Sequence, residues 1–229
     1  MEVVEGVHWI RDRFLKNIYL VTDGGPVLVD TGLPGSASPV VLCLDRIGVA
    51  RGKLKAIILT HSHFDHIGSA ERLRGATGAQ IWAHTLDAPR IEGDVPARGY
   101  GSSREMLTHS LTRLRKVRVD RTLRDGDIID CLGGLLVIHT PGHTEGSICL
   151  YQKERGILFS GDTIQYNGGR IRKPIEIFCH DSEALDKSIR KLAELDFEHM
   201  LSGEGVPLLG GAARKVREFL RISNQVNRH

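Results

Sequence analysis

Short apolar runs, each halted by a polar residue beside glycine or a turn, recur along this chain. Val27-Leu28-Val29 stops at Asp30-Thr31-Gly32, and Ala56-Ile57-Ile58-Leu59 stops at Thr60-His61. Leu135 to Ile138 runs into Pro141-Gly142-His143, and Ile157-Leu158-Phe159 into Gly161-Asp162. Runs this short and this apolar predict buried strands. Four strands with such endings predict one sheet edge carrying a shared site. Further strands are predicted over 3–10, 17–22, 79–83, 117–119, 127–131 and 147–151, and around His199. Asp23-Gly24-Gly25 is the expected hairpin turn. Helical spacing covers 36–48, 68–75, 103–115, 182–194 and 211–222, with Ser36 and Asp181 or Ser182 as starting caps.

Composition changes this picture little. No linker, repeat or low-complexity stretch divides the 229 residues, so a single domain over 1–229 is expected. The formal charge of +3 is too small to predict a nucleic-acid partner. No apolar run is long enough for a transmembrane helix, and no secretory leader pattern opens the chain. Cys43, Cys131, Cys149 and Cys179 are scattered without a Cys-x-x-Cys pair, as in a cytoplasmic protein with free thiols.

The chemistry is concentrated in Thr60-His61-Ser62-His63-Phe64-Asp65-His66-Ile67-Gly68. Imidazole and carboxylate are the usual ligands of hydrolytic metal sites, and a loop at a strand end can turn several of them toward one point. Downstream, Pro141-Gly142-His143-Thr144-Glu145-Gly146-Ser147 and Ser160-Gly161-Asp162-Thr163 add a further His and Asp. Together with Asp30-Thr31-Gly32, these segments resemble the metallo-β-lactamase superfamily, in the same order and over about Val7 to Leu208. The Asp65-His66 pair is similar to the branch containing glyoxalase II, lactonases and phosphodiesterases.

The resemblance implies an α/β (α+β) fold, a four-layer αββα sandwich of two mixed β-sheets flanked by helices. It implies two divalent metal ions, with zinc first and iron or manganese as alternatives. His61, His63 and His143 would bind one ion, Asp65 and His66 the second, and Asp162 would bridge them. Asp65 and Asp162 would also be the catalytic carboxylates. One position departs from the pattern: the family closes its second site with a histidine near the C-terminus, where this chain carries Glu204. Either Glu204 ligates and hardens the second site, or it turns away and leaves that site weak. His199, five residues upstream, is the lesser alternative.

Substrate choice is expected in the irregular stretch 86–118, read as a specificity insertion. Arg98 and Arg104 are candidates for anchoring an acidic group, Tyr100 for stacking, and His180 for facing the site as a proton donor. Each has a plainer reading as a surface or packing residue, as do His84 and His109. Asn167-Gly168-Gly169 is expected to form a mobile rim. The leading function is hydrolysis of an ester, thioester or lactone of a small molecule. A phosphodiesterase and a single-iron oxygenase similar to persulfide dioxygenases are the enzymatic alternatives, and a ligand-binding or sensor protein the non-enzymatic one. Association with further copies of the chain is left open.

Overall fold

A computed structural model describes residues 1–12, 16–94 and 116–226. The first sheet takes its strands in chain order: β1 (Glu2–Val4), β2 (Val7–Arg11), β3 (Asn17–Val21), β4 (Val27–Val29), β5 (Ala56–Leu59), β6 (Gln80–His84) and β7 (Arg121–Leu123). Its first half is antiparallel, and β4 to β7 are parallel. The second sheet contains β8 (Ile128–Ile129), β9 (Leu135–His139), β10 (Ile148–Gln152), β11 (Ile157–Gly161), β14 (His199–Ser202) and β15 (Leu208–Leu209). There only β11 and β14 run parallel. Between them in sequence, β12 (Gln165–Asn167) and β13 (Arg170–Arg172) form a separate hairpin.

The layering follows from what each strand buries. Successive side chains of a strand point to opposite faces. On β5, Ala56 and Ile58 enter one apolar cluster, while Ile57 and Leu59 enter another. On β10, Ile148 and Leu150 join the same cluster as Ala56 and Ile58, while Cys149 and Tyr151 face a third. The shared cluster therefore lies between the sheets, where Tyr19 and Phe159 meet edge to face at 5.6 Å. The second cluster includes Val40 and Leu44 of α1 (Ala37–Arg46), Leu73 of α3 (Ala70–Thr77) and Ile91 of the short α4 (Ala88–Ile91). The third includes Leu185 and Ile189 of α5 (Ser182–Ala193) and Val216 of α6 (Ala212–Val226). Helix, sheet, sheet, helix is the resulting order. Continuous apolar runs are needed because the central strands are covered on both faces.

Several expected elements shift. The strand expected over 3–10 breaks at Gly6, whose φ of 72° turns the chain back on itself between β1 and β2. Around 117–119 the valines pack against the helix-side core, yet the strand itself is β7, whose Arg121 and Thr122 are exposed. Hydrophobicity marked the approach to that strand, not the strand. Of the expected rim Asn167-Gly168-Gly169, Asn167 ends β12 paired with Arg170, and Gly168-Gly169 is the turn of the hairpin β12–β13. Ser36 does not cap α1, because its hydroxyl donates to Asp12 Oδ2 at 2.8 Å. Asp181 does cap α5, with Oδ1 accepting from the backbone N–H groups of Glu183 and Ala184 at 2.9 Å each. The helix expected over 103–115 lies outside the described residues, as does most of the 86–118 segment.

Candidate metal centre

The site lies where strand ends of both sheets meet. From the first sheet, β5 delivers Thr60 and His61. After His63 the chain enters a single helical turn, α2 (Phe64–Ile67), so Asp65 and His66 sit on a helix and not in an open loop. From the second sheet, the loop between β9 and β10 brings His143, and the end of β11 brings Asp162.

Two tight approaches fix these loops. Gly142 has φ of 132°, and a Cβ there would lie 2.2 Å from Leu185 N, so only glycine lets α5 close on the loop before His143. The loop is tied to that helix end, since Asp181 N and His180 N donate to Gly142 O and His143 O. Gly203 is similarly crowded, with Asp162 Oδ1 and His66 Cε1 within 2.6 Å of any added Cβ.

Ligand-type atoms of His61, His63 and His143 lie within 4.8 Å of one another, and so do those of His61, His66 and Asp162. All five residues are buried. His61 Nε2, His66 Nε2, His143 Nε2 and Asp162 Oδ1 have no hydrogen-bond partner among the described residues. Buried polar atoms are normally paired, so four orphans around one point fit a divalent cation. The other ring nitrogens explain the orientation. Asp30, held at φ of 60°, accepts from Thr60 N at 2.8 Å and from the Thr60 hydroxyl at 2.7 Å. Asp30 Oδ2 also accepts a hydrogen bond from His66 Nδ1 at 2.8 Å. With the Thr60 hydroxyl donating to Asp30, its oxygen is left to accept from His61 Nδ1 at 3.0 Å. Both rings thereby turn Nε2 toward the centre, and His61 keeps that nitrogen unprotonated.

Protonation states agree at His61, His63 and His143. Burial, then the neighbouring imidazoles, holds His61 and His63 well below the usual histidine range. Burial brings His143 down to about 4. Burial also acts against a charged His66, but the carboxylates of Asp162 and Asp30 outweigh it and raise that ring. Asp162 is opposed by burial, yet His66 and His143 keep it below the ordinary carboxylate range. Its Oδ2 stands 3.5 Å from His66 Nε2 and 3.8 Å from His143 Nε2, between the two groups.

Asp65 and Glu204 belong to neither group. The Asp65 carboxylate lies 2.5 Å from Lys16 Nζ, and Glu204 ion-pairs with the same ammonium. Glu204 also accepts from Gln165 Nε2 at 3.1 Å. His180 turns aside, its Nε2 3.3 Å from Glu145 Oε1. His199 begins β14, at the end away from the site. His84 stacks on His139 at 4.2 Å, as a packing residue would. Arg98, Tyr100, Arg104 and His109 lie outside the described residues.

Two residues escaped the sequence reading. Asp87 is fully buried and accepts from Ser62 N (2.8 Å), the Thr144 hydroxyl (2.6 Å) and Gly146 N (2.9 Å). It thus joins the His61–His63 segment to the His143 loop. Lys16 is the second, and no local motif marks either. Cys179 Sγ approaches His143 Nδ1 at 3.7 Å, but burial pushes the thiol up to about 11, so it stays protonated at neutral pH. All four cysteines are free thiols.

The likenesses to known proteins agree with this centre. The family profile described as "Metallo-beta-lactamase superfamily" matches residues 11–204. The chain is 29% identical over 248 residues to the "Probable metallo-hydrolase YflN" of Bacillus subtilis (strain 168), covering 99% of this chain and 93% of that one. It is 33% identical over 196 residues to the human "Acyl-coenzyme A thioesterase MBLAC2", covering 73% of this chain and 66% of the thioesterase. The crystal structure of TTHA1623 in a di-iron-bound form superposes with a TM-score of 0.71 at 29% identity, covering 91% of this chain and 98% of that one. With four buried orphan ligand atoms at the edge of an αββα sandwich, this chain belongs to the metallo-β-lactamase superfamily of metal-binding hydrolases.

Proposed function

We propose that this protein hydrolyses a thioester or ester of a small molecule, using a divalent ion held by His61, His63 and His143, with Asp162 beside it. The observation that carries this reading is the convergence of the unpartnered His61 Nε2, His143 Nε2 and Asp162 Oδ1 in one buried cluster with His63. An ion bound there lowers the pKa of water toward ~7 and polarises the substrate's carbonyl oxygen. The chain's own part is positional. Asp30 and Thr60 hold the His66 and His61 rings with Nε2 inward, and Asp87 keeps the two histidine-bearing loops in register. Asp162, kept ionised by its neighbours, balances cationic charge and is placed to accept a proton from an attacking water.

The thioester preference rests on the human relative, a thioesterase by name, and extends to this chain as inference. Zinc is the first choice for three imidazoles, with iron or manganese possible where oxygen ligands join. A small-molecule substrate and a cytoplasmic setting complete the reading. Among the described residues no helix is long and apolar enough to cross a membrane.

The test is a panel of acyl-coenzyme A, S-acylglutathione and lactone substrates, offered to chelated protein and to protein reloaded with zinc, iron or manganese. Hydrolysis that returns with metal in wild type, and not in His143→Ala, supports the reading. Oxygen uptake with a glutathione persulfide, without hydrolysis of any panel member, would overturn it in favour of an iron oxygenase.

A further inference from the structure

Lys16 sits where the centre would open toward a second ion, and its position is built in by the backbone. Asn17 N donates to Gly203 O at 2.8 Å, and Lys16 forms an isolated antiparallel bridge with Glu204. Asn17 Nδ2 and the Tyr19 hydroxyl both donate to Ser202 O at 2.8 Å. The start of β3 is therefore clamped to the end of β14. That segment presses on the centre, since Gly203 leaves no room for a Cβ against Asp162 and His66. From this clamp the Lys16 ammonium reaches both Asp65 and Glu204. Lys16 and Asp65 are each only 16% exposed, so the contact is not a loose surface pair.

We propose that Lys16 is an internal cation that replaces the second metal ion, holding Asp65 and Glu204 so that the centre keeps one divalent ion tightly. The two unusual features answer each other. A glutamate stands where the family has histidine, and a lysine stands across the backbone bridge to neutralise it. A second divalent ion near Asp65 and Glu204 must displace an ammonium ion-paired to both, or endure its repulsion at contact distance. This rests on the metal-centre reading above and adds which residues set the number of ions.

The experiment counts metal. Wild type, Lys16→Met and Lys16→Gln are stripped with chelator, reloaded with zinc or manganese, desalted and analysed by elemental analysis. Manganese loading is also followed by electron paramagnetic resonance, which separates isolated from spin-coupled ions. Wild type is expected to retain one ion per chain, with the six-line signal of an isolated manganese. The Lys16 variants are expected to take up a second ion at least ~10-fold more tightly than wild type. Lys16→Met with Glu204→His is expected to hold two zinc ions after desalting. Circular dichroism and thermal melts establish that each variant is folded. Two equally tight ions in wild type would overturn the role of Lys16 while leaving the metal centre intact. Unchanged stoichiometry in folded Lys16→Met and Lys16→Gln would do the same. No tight ion in any protein would overturn the metal centre itself, and this proposal with it.

Discussion

The inner histidine cluster and the outer carboxylate pair lie side by side, yet they solve opposite problems. In the inner cluster His61 and His66 make their hydrogen bonds on the far side of the ring, at Nδ1, and Nε2 of His61, His66 and His143 and Oδ1 of Asp162 have no partner among the described residues. In the outer pair the inward atoms of Asp65 and Glu204 are already engaged by Lys16. Burial differs in step, because His61 and His66 are 1% exposed whereas the Glu204 side chain is 33% exposed. Bare buried imidazoles are costly without a partner, while an ion-paired and partly hydrated carboxylate is not. A ligand motif therefore predicts metal affinity only when the ligand atoms have been left nothing else to do.

The strongest way to break this contrast is to remove an inner ligand. His143→Ala should lose metal affinity by more than the ~10–100-fold typical of losing a supporting hydrogen bond, and hydrolysis should fall with it. Full metal content by elemental analysis after dialysis would place the centre elsewhere.

Acid should act on the inner cluster next. The folded His143 ring resists protonation down to about 4, whereas an unfolded imidazole takes up its proton near ~6.5. Between those values the unfolded state binds more protons, so stability falls as pH falls, by roughly 3 kcal/mol from this ring alone. The raised His66 works in the other direction, since its stabilising contribution is retained on acidification and lost only above its folded value. Urea unfolding of chelated protein at pH 7 and pH 5 checks this. His143→Gln should flatten the dependence, and an equally steep fall in that variant would assign it to other groups.

A smaller effect should come from the supporting carboxylate. Asp87→Asn puts an amide against three donors and should cost ~10–100-fold in metal affinity, with about 1–3 kcal/mol of stability. Isothermal titration with zinc beside a thermal melt would separate the two losses. If affinity is unchanged while the melt drops, Asp87 supports the fold alone. At the weak end, His180→Gln should leave metal content unaltered, because that ring faces Glu145. A metal deficit there would bring His180 into the centre.

The same contrast explains what could be read from sequence. The inner histidines and Asp162 were legible as candidates because strand ends, glycines and histidines are local, as in Ala56 to His66 or Phe159 to Asp162. Even the two-sided burial of β5 and β10 is written in their unbroken apolar runs. Lys16 and Asp87 were not legible, since each acts on residues far away in the chain: Lys16 on Glu204, Asp87 on Thr144 and Gly146. Both read locally as ordinary charged residues beside a strand. The β12–β13 hairpin was missed for a related reason. It is three residues a side, and the Gly168-Gly169 turn outweighed the weak strand signal of Gln165 and Tyr166. The displaced β7 shows the complementary error, where core valines drew attention from the exposed edge strand that follows them.

The placement of the inner cluster across the seam between the sheets has a consequence for how the protein would obtain its metal. His61, His63 and His66 come from one half of the chain, and His143 and Asp162 from the other. Neither half alone presents the full constellation, so the complete donor set exists only once the halves have docked. Affinity in such sites follows a fixed order among the first-row metals, and availability then decides which ion is taken. The ion carried by a mature molecule would thus reflect the metal supply open to the docked halves. Purification from cells starved of zinc, or fed manganese, would read that supply directly.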